Sequence, residues 1–219
     1  MSAPDAPLPG WTFRAARPDD ARACAPLILA SGVREFGFFL GVPDEAMVGF
    51  LAGAFTSRHG RFSWRRHRVA VAPDGSVAGV LAAHDGRVIA LDDPHVAWLL
   101  LRRFGLRHTV ASLLRGLVLE GELPAPKRLQ THVAHCAIDA RWRGTGVFTA
   151  LFEDACRHGS IAAAVEEGRE VVLDVLVSNT RAAALYRRLG FVALARAKPP
   201  APKLPRELVS TRMRWRRGA

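Results

Sequence analysis

Tyrosine occurs once, at Tyr186, and lysine only at Lys127, Lys198 and Lys203, in a chain of 219 residues. Cysteine is also scarce. Cys24, Cys136 and Cys156 are odd in number and nowhere in C-x-x-C spacing, which argues against a disulfide framework and against a zinc knuckle. A reduced, cytoplasmic setting is the expectation. Long apolar runs are missing as well. The stretch from Val96 to Leu101 is cut by Arg102 and Arg103, far short of the ~20 residues that span a bilayer. Met1 to Gly10 holds no basic segment followed by an apolar one, so neither a signal peptide nor membrane insertion is expected.

What is abundant is arginine. It accounts for nearly all of a net charge of +11, which favours anionic partners. Alanine-rich, lysine-poor usage fits a GC-rich bacterial genome, whose coding bias would supply much of that charge. A nucleic-acid-associated role is therefore a minor rival. With 49% hydrophobic and 23% charged residues the chain can bury a core. Its length suits one domain, read as 11–219 behind a loose tail at 1–10.

Turn and cap chemistry outline the elements. Trp11 to Ala15 reads as a strand. Pro18-Asp19-Asp20 opens a helix that reaches about Ser31 and stops at Gly32, and Pro43-Asp44-Glu45 opens a second. Pro73-Asp74-Gly75 joins a hairpin of 67–72 and 76–83. Residues 94–126 read as an insertion of two apolar helices broken at Gly105, serving as extra core, a substrate lid or a dimer contact. The second half runs strand 129–138, turn, helix from Val147 with a bend near Gly159, and strand 171–177. A helix capped by Ser178-Asn179 and two final strands around a Pro-rich loop at 198–205 complete it. The sum is an α/β fold with a mixed sheet of six or seven strands and flanking helices.

Chemistry concentrates in Arg143-Gly144-Thr145-Gly146-Val147-Phe148, between a strand and a helix. Glycines there permit close backbone approach, and the free amides of a helix start attract anions. Arg143 adds a guanidinium suited to phosphate. The lysine spacing of a P-loop is absent. A dinucleotide site would want glycine where Thr149 stands, and Glu166 and Glu167 fall on the following helix rather than at a strand end.

Two motifs then carry a resemblance. Ala137-Ile138-Asp139-Ala140-Arg141-Trp142-Arg143-Gly144-Thr145-Gly146 resembles the strand end and pyrophosphate loop of the GNAT superfamily of acyl-CoA-dependent N-acetyltransferases. Asn179 with Ala183, Leu185-Tyr186 and Leu189-Gly190-Phe191 resembles its late strand–helix–strand. Phe13 to Asp20 looks like the family's first strand and helix. The resemblance covers most of the chain outside 94–126. In two places the chain departs from the family pattern: Phe148 stands where Gly or Ala is usual, and Ala140 where many members carry Pro.

The resemblance implies an enzyme that transfers acetyl from acetyl-CoA, without a metal, to a primary amine of a small molecule or protein. The alternative is a catalytically silent acyl-CoA-binding sensor or scaffold. Two neighbouring strands would part after Ile138 and before Asn179 to admit the pantetheine arm. Main chain at Ala137 and Ile138 would pair with that arm, and amides from Arg143 through Gly144, Thr145, Gly146 and Val147 to Phe148 would bind the pyrophosphate.

Asn179 would bond the arm, or only cap a helix. Tyr186 would protonate the leaving thiolate or hold its sulfur, or merely pack on the cofactor. His132 is the base candidate, against a plain strand histidine. His135 should point to the opposite face from His132, making the two a poor metal pair. Glu35, Asp92, Asp93, Glu120 and Glu122 are candidates to hold a cationic substrate, each with the simpler reading of a solvated charge. Arg65-Arg66-His67-Arg68 reads as a solvated edge, with binding of the adenosine 3′-phosphate or of an acidic partner as the alternative. The insertion and the loop at 198–205 are expected to frame the acceptor pocket.

Overall fold

The computed structural model describes residues 8–89, 92–196 and 199–216, and only the backbone of residue 93. Most of the loose-tail reading of 1–10, together with Lys198, lies outside them.

Seven strands form one sheet in the order β1-β2-β3-β4-β5-β7-β6. They are β1 (Thr12–Ala15), β2 (His67–Val71), β3 (Val77–Asp85), β4 (Gln130–Ile138), β5 (Glu170–Leu176), β6 (Phe191–Ala193) and β7 (Ser210–Trp215). All pairings are antiparallel except β4 with β5. The helices among the described residues are α1 (Ala21–Ser31), α2 (Val33–Leu40), α3 (Asp44–Thr56), α4 (Asp92–Glu122), α5 (Val147–Arg157), α6 (Gly159–Glu166) and α7 (Thr180–Arg188).

Each sheet face buries its own core. Val69, Val80 and Ala137 pack under α1 to α4 with Ile28, Leu51 and Phe55. Ala70, Leu81, Val133, Ile138 and Leu173 pack under α5 to α7 with Leu151, Phe152, Ile161 and Tyr186. The alternation of strand side chains produces this division.

The helix α2 was not foreseen, because Gly32 reads as the start of a loop. It turns 95° from α1 at that glycine. Phe36 and Leu40, one turn apart, are buried in the core, and Gly41 at φ 63 ends the helix. Arg115 from α4 caps it, donating from Nε to the Phe39 carbonyl and from Nη2 to the Leu40 carbonyl, both at 3.0 Å.

The insertion is helical and breaks at Gly105 (φ 79, ψ 173), as its sequence suggests. Its halves differ. Val96 and Leu100 belong to the core, whereas Leu106, Leu114 and Leu117 on the second half are exposed. Among the described residues no single helix is long and apolar enough to cross a membrane.

Candidate active site

Strands β4 and β5 are paired in register from Gln130↔Glu170 to Val133↔Leu173 and no further. Past that rung β4 stays on β3 to Ile138 and β5 stays on β7 to Leu176. The two strands part earlier than the sequence suggests, four residues or more before Ile138. A β-bulge is the local cause. His135 takes φ 50, and the register to β3 shifts between Val80 and Ala82. One extra residue bends β4 and sharpens its twist.

The parting opens a cleft of about 770 Å3. Its walls include Cys136, Ala137 and Ile138 on β4, Asp174 to Leu176 on β5, Asn179 capping α7 and Tyr186 on it, and Gly32 to Glu35 around the start of α2. One end is Arg143, Gly144 and Gly146 to Thr149.

That end is a cradle of main-chain donors. Gly144 and Gly146 adopt φ 85 and 87, and a Cβ on either would meet no atom within 4 Å. Positive φ explains the glycines, and open space explains how a ligand reaches the backbone. The amides of 144–149 find no acceptor among the described residues. Arg143 is steadied by a 3.1 Å bond from Nε to the Ile138 carbonyl. Phe148, at the departure from the family pattern, lies half-buried with its ring edge-on to Tyr186 at 6.2 Å.

These features meet a direct comparison. The family model described as "Acetyltransferase (GNAT) family" matches residues 10–191. The chain belongs to the GNAT acetyltransferase family. It is an acetyl-transferring enzyme of a family that uses acetyl-CoA. An N-acetyltransferase from Staphylococcus aureus Mu50 is similar at 15% identity and a TM-score of 0.68, over 93% of this chain and 99% of that one. Another acetyltransferase structure matches at 19% identity and TM-score 0.64, over 93% and 98%. The structure of yncA from Salmonella typhimurium, solved with its cofactor acetyl-CoA, matches at 15% and 0.53, over 94% and 92%. No curated protein matched. These likenesses show the mixed GNAT sheet.

Within the GNAT fold, Tyr186 is buried on the cleft wall. Desolvation, with the Cys136 thiol beside it, holds its phenol well above the ordinary range. Cys136 itself is pushed up to about 12 by burial, which leaves a neutral thiol rather than a nucleophile. Asn179 lines the cleft while its Oδ1 accepts the Ala182 amide at 3.1 Å, capping α7.

His132 lies elsewhere. It is not among the residues lining the cleft, and its Nε2 meets Asp174 Oδ2 at 3.1 Å. Arg212 donates to both oxygens of Asp174, at 3.0 and 2.7 Å. Desolvation pushes Asp174 up, but bonds to His132 and Arg212 prevail and hold it below the usual carboxylate range.

His135 corrects the sequence reading, because the bulge turns it to the same face as His132. Its Nδ1 stands 2.9 Å from His67 Nε2, and its ring meets His84 edge-on, while His84 stacks toward His132. Burial lowers His67 to about 4 and keeps His84 and His135 well below the ordinary imidazole value. No three of the described His, Cys, Asp and Glu residues group to hold a metal ion.

Of the run at 65–68, only Arg65 is exposed as a solvated edge would be. His67 is core, Arg66 pairs with Asp92 and Arg68 with Asp154. Glu122 is buried against Arg196 and the Ser210 amide. Neither the described part of the insertion nor that of the 198–205 loop lines the cleft. The insertion instead braces α2. Of the acids named from sequence, Asp93 has its side chain outside the described residues, and among the others only Glu35 faces the cleft. Its helix was missed, so its position was not legible.

Proposed function

We propose that the protein transfers the acetyl group of acetyl-CoA to a primary amine by direct attack on the thioester. The observation that carries this is a single cleft in which unpaired loop amides, a parted strand edge and a buried phenol adjoin. Acetyl-CoA, when bound, supplies an acyl group activated as a thioester.

The loop fits a pyrophosphate. The glycine cradle is open, the helix start favours negative charge, and Arg143 stands at its rim. The Arg143 guanidinium and the amides of Gly144, Thr145, Gly146, Val147 and Phe148 are assigned to it, the Arg143 amide being turned to the Ala140 carbonyl. The main chain of Ala137 and Ile138 is assigned to the pantetheine arm, with the Asn179 amide group free to donate while its oxygen caps α7.

Tyr186 keeps its proton throughout the physiological range because its charged form is desolvated. It is assigned to donate a hydrogen bond and then a proton to the departing sulfur. His132 is assigned a positioning part, fixing the Asp174 carboxylate at the fork of the strands.

Two measurements test the reading. Calorimetry should give saturable binding of CoA and acetyl-CoA. Free thiol release with a panel of amines should fall about a hundredfold in Tyr186→Phe. An enzyme that binds neither thioester nor CoA would end this reading.

A further inference from the structure

The second half of α4 presents an apolar face that no other part of the described chain covers. Leu106, Val110, Leu113, Leu114 and Leu117 are 68, 48, 40, 60 and 65% exposed. The opposite face of the same half belongs to the fold. Thr109 and Ser112 are buried, and Arg115 and Gly116 meet Phe39 of α2. A contiguous apolar patch of this kind marks a contact site rather than ordinary surface.

The spacing says what fits. Leu106, Val110, Leu113 and Leu117 follow one another at four, three and four residues, the interval of a coiled-coil seam, and Leu114 widens it. That order reads the same from either end. Laid antiparallel on a copy of itself, Leu106 meets Leu117 and Val110 meets Leu113. One two-fold axis, passing between Ala111 and Ser112, closes the contact.

The charges agree. Arg107 stands at the start of the seam and Glu120 just past its end. Both are exposed, and neither has a hydrogen-bond or ion-pair partner among the described residues. The same axis brings Arg107 of one copy within about one helical turn of Glu120 of the other, at both ends. A parallel pairing would crowd like charges at each end. A lipid surface favours basic residues along a whole helix, whereas here Arg102, Arg103 and Arg107 gather at one end and Glu120 closes the other. Burying the five side chains in both copies removes roughly 1,000 Å2 from water, the lower bound of a specific interface.

We infer that the protein forms a two-fold dimer in which the second half of α4 lies antiparallel to the same half-helix of a second copy. The insertion lies outside the pattern shared with the family, so this contact belongs to the chain rather than to the fold. Arg115 caps α2 from the same half-helix, so the dimer contact and the cleft wall share one element.

Sedimentation equilibrium of the full chain from about 1 to about 100 μM tests this. The wild type should populate a dimer. Val110→Glu brings two carboxylates together beside the axis and should weaken dimerisation about a hundredfold or more, with the far-ultraviolet spectrum unchanged. Arg107→Glu and Glu120→Arg should each weaken the dimer, and the two combined in one chain should restore it. Under air oxidation, Leu106→Cys mixed with Leu117→Cys should give a disulfide between those two positions, located by peptide mass mapping. Leu106→Cys alone should not join to itself.

A monomer at every concentration, a dimer indifferent to Val110→Glu, charge reversals that fail to rescue each other, or self-joining of Leu106→Cys overturns the inference. So does a monomer that binds phosphatidylserine vesicles and loses that binding in Val110→Glu, which assigns the face to lipid.

Discussion

His132 Nε2 and Asp174 Oδ2 meet at 3.1 Å just where β4 and β5 cease to pair. With Arg212 on the other side of the carboxylate, the contact pins β5 to β4 and β7 at the fork. Losing one member of such a buried group leaves the others uncompensated. Asp174→Asn should cost about 2–3 kcal/mol, reduced from the fully buried case because Arg212 keeps some access to water. Denaturant unfolding measures it, and an unchanged midpoint would contradict the role given to the pair.

The histidines under α1 to α4 set an acid limit on stability. His67, lowered to about 4, and His84 and His135, also lowered, bind protons more weakly in the native state than in the unfolded chain. Protons therefore favour unfolding. Stability should be level above about pH 6.5 and fall below it, by roughly 1.4 kcal/mol per pH unit for each histidine that stays neutral in the native state, with His67 taking up its proton at about pH 4. Unfolding midpoints at neutral and mildly acidic pH check this. A flat profile across that window would count against burial of the neutral cluster.

Tyr186→Phe removes one oxygen from a buried wall and leaves the ring contacts with Phe148 and Phe191 in place. Cofactor affinity should stay within about threefold while kcat drops on the order of a hundredfold. Equal loss in affinity and kcat would instead mark the phenol as a binding group.

Gly146→Ala tests the cradle. The residue holds φ 87, a left-handed conformation that costs a non-glycine residue about 1–2 kcal/mol. The loop should relax away from it, and the dissociation constant for CoA should rise about tenfold or more. Retained affinity would place the diphosphate elsewhere.

Arg115→Ala tests the reach of the insertion. It frees two carbonyls at the end of α2 without touching the cleft. Hydrogen exchange should quicken in α2, and KM for the amine should rise severalfold with acetyl-CoA affinity unchanged. If α2 exchange is unaltered, the insertion does not brace it.

The order of strands and helices was legible because local rules govern it. Pro18-Asp19-Asp20 starts a helix, Pro73-Asp74-Gly75 closes a hairpin, and Gly144 and Gly146 mark a loop whose backbone must take positive φ. The arginine–glycine turn and the lone tyrosine on the helix after Asn179 were visible for the same reason, since their spacing along the chain is what places them. The sequence by itself therefore determined the family, the cradle and the phenol.

Tertiary structure decided the rest. A single bulged residue, His135, reversed the alternation of β4, gathered His135 with His67, His84 and His132 on one face, and turned parallel neighbours into the walls of a cleft. Glu35 faces that cleft from a short helix that is anchored by Phe36 and Leu40 in the core and capped by α4, far along the chain. Bulges and long-range caps depend on which surfaces meet after folding, and the free energies that select them belong to contacts between distant residues rather than to any local pattern.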